Sequence, residues 1–167
     1  MPRPVVGATI VPMRKVFAGL ATLLTLAVVV QFFLAASGAF DNAPNDESFQ
    51  AHRALGYGIL LFAVLMTLVA ALARMPGRLI GMTGMVAGLV VLQGLIVALA
   101  NAFGDTGGST TTGQLVFGLH AVNALVIMAL AGTIARGARE QSRSAVAGRE
   151  TAEGEDVSAS EPATPAS

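Results

Sequence analysis

The only two histidines of this sequence, His52 and His120, are the residues with the clearest chemical potential. Cysteine is absent, so disulfides, thiolate metal sites and cysteine nucleophiles are excluded. Neutral imidazoles bind transition metals, and two of them facing each other fill both axial positions of a heme iron, as in electron-transfer cytochromes. We therefore predict a metal site formed by His52 and His120, with heme b as its cofactor.

Both histidines occupy equivalent places in an internal repeat. A Phe-x-x-His sequence ends at His52 in one half and at His120 in the other. Before each one, a glutamine (Gln31 or Gln93) is followed about ten residues later by Ala-Phe and an aspartate. Two tandem helical hairpins related in this way are parallel repeats about an axis along the membrane normal, so we expect the imidazoles at equal depth and equivalent. The glutamines are expected to hydrogen-bond between helices.

Neighbouring residues complete the predicted site. Arg53, directly before the second apolar stretch, is the cation placed to meet heme propionates, and snorkelling to the outer headgroups is the alternative. Gly56 lies one helical turn after His52, where a small residue leaves room for a porphyrin edge. Asn123 lies three residues after His120 and so shares its helical face, where it can orient the ring or a ligand.

The composition predicts that the chain lies in a membrane. Hydrophobic residues make up 54% of it and charged residues 12%, with a mean hydropathy of +0.70. Four uncharged stretches each have about 20 residues or more, which as a helix crosses a hydrocarbon core of about 30 Å. We predict an all-α fold, an integral membrane four-helix up-down bundle built from two parallel-repeat helical hairpins. The four stretches are Val16–Ala39, Ala54–Ala73, Leu79–Phe103 and Leu115–Ala135.

The basic residues predict the orientation of these helices. In a four-helix topology seven of them fall on one side, whereas the loops at 40–49 and 104–113 contain acidic residues but no Lys or Arg. Because basic loops stay in the cytoplasm, we predict a multi-pass protein of the cell (plasma) membrane with its N-terminus and C-terminus both cytoplasmic. The residues concerned are Arg14, Lys15, Arg74, Arg78, Arg136, Arg139 and Arg143.

The two ends of the chain differ in composition from the apolar part. We predict a disordered N-terminal extension over residues 1–12, a transmembrane domain over 13–136 and a disordered cytoplasmic tail over 137–167, which is rich in Ala, Ser, Gly and Glu. Met13 is an alternative translation start. The first apolar stretch also has the features of a cleaved signal peptide, but its run from Val16 to Leu34 exceeds the usual length of about 7–15 residues.

The pattern of His52-Arg53 near the outer end of the second stretch, with His120 near the outer end of the fourth, resembles one four-helix half of the heme A synthase family. The resemblance covers about residues 14–136 and implies that His52 and His120 are axial heme ligands. This chain has one such bundle where the family has two, Phe49 where the family has an acidic residue, and no outer-loop cysteines. These departures argue against the family's oxygenase activity but not against a heme bundle. The chain is also similar to small four-helix membrane proteins of high-GC bacteria, from which no activity follows.

Three functional hypotheses remain open. The first is a heme b membrane cytochrome that moves electrons between a quinol or redox protein partner and an acceptor near the outer leaflet. The second is an accessory or assembly subunit without heme, whose histidines pack against polar groups. The third is a proton or small-molecule carrier, against which the inner half of the bundle offers no ionisable residue. Besides the lipid bilayer, the sequence specifies no partner. The net charge of +0 indicates no nucleic-acid partner. The oligomeric state is open.

Overall fold

Long runs of apolar residues fold into helices in this protein, because a backbone surrounded by lipid must satisfy its own hydrogen bonds. The computed structural model describes residues 6–103 and 110–159, and in these residues it has helices but no strand. Four helices are long and one has a single turn. They are α1 (Val6–Ala39), α2 (Asn45–Ser48), α3 (Gln50–Leu72), α4 (Gly77–Ala102) and α5 (Thr111–Ala159).

The four long helices are long and apolar enough to cross a membrane, so the chain is a multi-pass membrane protein. Their apolar segments agree with the predicted stretches to within a few residues at most ends, and the fourth extends beyond its predicted end. Large side chains such as Leu61, Leu95 and Leu125 are more than half exposed, which suits a lipid surface and not an aqueous one. The segments are Pro12–Ala39, Gln50–Leu72, Gly77–Ala102 and Thr111–Gly148.

The core lies where each long helix packs against two others: α1 and α4 both contact α3 and α5. Small residues such as Ala21, Ala63 and Ala131 are fully buried at these contacts, which lets the backbones approach closely. One polar side chain in the core, Thr83, has its hydroxyl 2.8 Å from the Ile80 carbonyl of its own helix. Larger side chains fill the remaining space, and the largest fully buried ones are Phe17, Leu24, Met66, Ile134 and Val86.

A tight turn joins α3 to α4. Arg74 has a positive φ of 50°, the conformation that commonly ends a helix. The amide of Met75 then donates to the carbonyl of Ala70 at 3.0 Å, and the Met75 side chain is buried. Pro76 follows directly before α4, where its fixed φ suits a helix start and its missing N–H is not needed. The turn therefore holds α3 and α4 side by side with a minimum of connecting chain.

The structure differs from the sequence prediction at both ends of the apolar part. Helix α1 already begins at Val6, and α5 continues to Ala159, where we expected disorder over 1–12 and 137–167. Ala, Glu and Arg are frequent after residue 137 and are good helix formers, which favours continuation. Ala138 is fully buried, and the Arg139 guanidinium donates to the Thr22 hydroxyl at 3.1 Å. These contacts anchor the start of the extension; residues 1–5 and 160–167 lie outside the described chain.

Candidate functional site

Helices α3 and α5 bring the two histidines together. The ring centroids of His52 and His120 are 6.2 Å apart, and the ring planes are tilted by 50°. Both side chains are half-buried. His52 lies in the first turn of α3 and His120 lies deeper in α5, because α2 and Phe49 precede α3 as a separate turn. The two metal-ligating residues predicted from the repeat are therefore neighbours across the middle of the bundle, between two helices that do not pack directly against each other.

An aromatic ring supports each histidine from three residues earlier on the chain. The Phe117 and His120 rings are parallel within 3°, with centroids 5.4 Å apart. Phe49 meets His52 edge-on, at 6.1 Å and 84°. Both are favourable arrangements of aromatic rings. The Phe-x-x-His sequence thus has the same partners in both halves but a different geometry in each.

Gln31 of α1 holds His52 through both its backbone and its side chain. His52 Nδ1 lies 3.2 Å from the Gln31 carbonyl oxygen. Because a carbonyl can only accept, Nδ1 carries the hydrogen and Nε2 keeps its lone pair. The Gln31 side-chain amide donates to the His52 backbone carbonyl at 2.8 Å and lies 3.4 Å from His52 Nε2. The prediction that Gln31 hydrogen-bonds between helices is confirmed, and its partner is the histidine itself.

Gln93 of α4 occupies the equivalent position beside His120, but its side chain has another partner. The Gln93 Oε1 atom accepts a hydrogen bond from Asn123 Nδ2 at 2.9 Å, and the same Nδ2 donates to the Leu89 carbonyl at 2.9 Å. Asn123 is buried. The prediction of an interhelical bond for Gln93 is therefore confirmed, whereas the hydrogen bonds of the Asn123 amide go to α4 and not to the His120 ring.

The Gln93 backbone lies beside the His120 ring, as the Gln31 backbone lies beside the His52 ring. The His120 Nδ1 atom is buried, and among the described residues this contact falls short of a hydrogen bond of normal geometry. The two halves also differ three residues after each histidine, where Leu55 follows His52 and Asn123 follows His120, so a polar side chain bonds to the glutamine from this position only in the second half. The equivalence of the two histidines stays a prediction.

Arg53 lies next to His52 in sequence, but its guanidinium contacts α2. Its Nη1 atom is 3.8 Å from Asp46 Oδ1 and 3.5 Å from the Asn45 carbonyl, and its Nη2 atom donates to the Asp46 carbonyl. The Asp46 side chain is 99% exposed, so this ion pair contributes at most about 1 kcal/mol to stability and is easily exchanged for another anion. These contacts do not include either histidine.

The separation of the ring centroids is one that two imidazoles on one metal ion need, and ordinary packing of aromatic rings gives the same separation. Metal–nitrogen bonds of about 2 Å place the two ligating nitrogens about 4 Å apart. Each ring centroid lies roughly 1 Å behind its nitrogen, which gives about 6 Å between centroids, against 6.2 Å between His52 and His120. Within residues 6–103 and 110–159, no group of three or more His, Cys, Asp or Glu side chains is placed to hold a metal ion. A metal here would depend on this pair of imidazoles.

The position of Gly56 corrects one part of the predicted heme pocket. A Cβ atom at Gly56 would lie 3.3 Å from the Gln31 side-chain nitrogen, so the Gln31 amide fills the space that we expected a porphyrin edge to occupy. A heme at this site requires the Gln31 side chain to turn away from His52 Nε2. Its backbone carbonyl need not move and would continue to orient His52 through Nδ1.

Comparison with known proteins gives one match. Residues 31–101 are similar to a family of unknown function, DUF6220. The matched segment contains Gln31, His52, Arg53 and Gln93, and it ends before α5, which carries His120. The comparisons with curated proteins and with solved structures gave no match. The similarity therefore extends over both glutamines and one histidine of the candidate site, without assigning an activity to them.

Proposed function

We propose that this multi-pass membrane protein is a heme b cytochrome in which His52 and His120 would hold the heme iron. The observation that supports this function best is the pair of imidazoles with centroids 6.2 Å apart, the separation that a shared iron requires. The resemblance of the His52-Arg53 pair and of His120 to one half of the heme A synthase family supports the same function.

The residues around His52 suit a ligand role. The Gln31 carbonyl fixes the ring in the tautomer that leaves the Nε2 lone pair available, which is the usual task of a residue behind a metal-bound histidine. Phe49 and Phe117 limit rotation of the rings and exclude water from one side of each. When bound, heme b would supply one-electron transfer, and the protein would supply orientation and a low-dielectric environment.

The proposal includes an arrangement in the membrane. The helices form an up-down bundle of two parallel-repeat hairpins, with both chain ends in the cytoplasm of a cell whose plasma membrane holds the protein, and with the histidines in the outer leaflet. A quinol or a redox protein is the electron-exchange partner. Arg53 is the cation that would meet the heme propionates, after exchanging the exposed Asp46 for them.

Absorption spectroscopy on the purified full-length protein tests the proposal. Expressed with sufficient heme, the protein should be red and give a low-spin spectrum, and the variants H52A and H120A should each lose that low-spin form. The matched control is L119A, which removes the neighbour of His120 whose side chain is 55% exposed, and it should keep the wild-type spectrum. A colourless wild-type protein that takes up no added hemin would refute the cytochrome and leave the accessory-subunit hypothesis.

A further inference from the structure

Arg14 of α1 combines a positive charge with a buried donor atom. It lies three residues before the fully buried Phe17, so both residues lie on the side of α1 that faces the bundle. The Arg14 Nε atom is buried and has no hydrogen-bond partner among residues 6–103 and 110–159, and Arg14 forms no ion pair there. A buried charged donor without an acceptor is unfavourable, because its hydration is lost and nothing replaces it. An anion from outside the chain would therefore be favoured at this place.

Other arginines lie at the same end of the bundle as Arg14. The Arg139 guanidinium donates to a hydroxyl of α1 at 3.1 Å, about two helical turns from Arg14. A Cβ atom at Gly137 would lie 3.1 Å from the Leu79 side chain, which places the start of α4, and with it Arg78, beside this part of α5. In the part of the chain that the structure describes, the one ion pair lies at the opposite end, between α2 and α3. Positive charge therefore accumulates around Arg14 without carboxylate partners.

The depth of these cations suits the phosphate group of a membrane lipid. Arg14 lies near the beginning of the apolar segment Pro12–Ala39, and the Arg139 guanidinium meets that segment further inside, at Thr22. Cations near the ends of membrane-spanning helices lie at the level of the headgroups, where phosphate is the abundant anion. A free anion in water would have to shed its hydration to reach the buried Nε atom, whereas a lipid phosphate is already held at this level.

We propose that Arg14 binds the phosphate of an anionic phospholipid at the end of the bundle where α1 meets α5. The Nε–H group of Arg14 donates to one phosphate oxygen, and the guanidinium keeps further N–H groups for a second oxygen. Arg78 and Arg139 add positive charge around this position, so a lipid with a net negative charge is preferred to a zwitterionic one. The site is separate from the histidines and does not depend on heme.

Lipid titration of the delipidated full-length protein in a neutral detergent tests this site, with the Tm as the readout. Phosphatidylglycerol should raise the Tm of wild type, because a ligand that binds only the folded state stabilises it, and phosphatidylcholine should raise it less. R14Q should bind phosphatidylglycerol roughly 10–100-fold more weakly, the effect of losing a charge-assisted hydrogen bond. The matched control K15Q removes the same charge from the exposed neighbouring residue and should weaken binding by at most about 5-fold. Equal weakening in R14Q and K15Q would overturn the proposal, since it would mean that net charge alone attracts the lipid.

Two further measurements use other probes of the same site. Inorganic phosphate should leave the Tm of wild type unchanged at concentrations at which phosphatidylglycerol raises it, and an equal rise would overturn the lipid in favour of a free anion. Native mass spectrometry covers the case in which R14Q does not fold. From an equimolar mixture of the two lipids, the wild-type protein should retain phosphatidylglycerol preferentially. Equal retention of both lipids would overturn the proposal whatever the behaviour of the variants.

Discussion

Adding one methyl group at Gly38 should loosen the junction between α1 and the start of α3. Gly38 is buried near the end of α1, and a Cβ atom there would lie 2.7 Å from the Ser48 carbonyl oxygen and 3.0 Å from a ring carbon of Phe49. The first of these atoms belongs to the backbone and cannot rotate away. Carbon and oxygen approach comfortably to about 3.3 Å, so the helices must separate by roughly 0.6 Å.

Separating α1 from Ser48 and Phe49 lowers the free energy of unfolding, because it loosens the packing of a buried contact. Forced separation in a packed interior costs about 1–3 kcal/mol, and each kcal/mol lowers the Tm of a chain of this size by about 2–4 °C. The Tm of G38A, followed by far-UV circular dichroism in detergent, should fall accordingly. Heme retention should fall too, since Phe49 supports the His52 ring.

The same substitution elsewhere in α1 provides the control. Gly19 is exposed, and a Cβ atom there would meet nothing within 4 Å. G19A should therefore leave the Tm unchanged or raise it slightly, because Ala is the better helix former by about 1 kcal/mol. If G38A were as stable as G19A, the close contact of α1 with Ser48 and Phe49 would not exist in the protein.

Two further predictions concern orientation and the Asn123 contact. A reporter that fluoresces only in the cytoplasm should be bright when fused after Arg143 and dark when inserted at Gly108, and the opposite result would reverse the orientation inferred from the basic residues. N123A removes the donor to Gln93 and Leu89 and should lower the free energy of unfolding by about 1–2 kcal/mol, from about 0.6 kcal/mol per interhelical bond and the cavity that remains. A thermal melt measures this loss, and a Tm equal to that of wild type would contradict those bonds.

Much of the fold follows from hydropathy, because helix number and approximate length depend on charge-free runs of about 20 residues. The apolar segments Gln50–Leu72 and Gly77–Ala102 match the predicted stretches closely. The end of α5 does not follow from hydropathy, because the low hydropathy after residue 137 predicts disorder while the helix propensity of the same residues favours a helix. The end of α5 depends on the helix propensity of the residues after 137 and on the burial of Ala138. Burial could not be predicted from the sequence, because it arises only when the bundle packs.

The candidate site was only partly predictable. The repeat indicated that His52 and His120 are neighbours, because equivalent positions on related hairpins meet at the axis between them. The hydrogen-bond partners of the Gln31, Gln93 and Asn123 side-chain amides could not be predicted. Each amide has several acceptors within reach, and small differences in helix position select among them. The direction of the Arg53 side chain was also unpredictable, because a long side chain has many acceptors within reach; in the structure it contacts the carbonyls of α2.

The length of α5 has a mechanical consequence. From Glu140 to Ala159 the helix extends about 30 Å beyond its contacts with Thr22, and no helix break separates that part from the turn that carries His120. One continuous helix therefore joins the segment after Glu140 to the turn that carries His120, so a partner bound to that segment would contact the same rigid element that holds one of the two imidazoles.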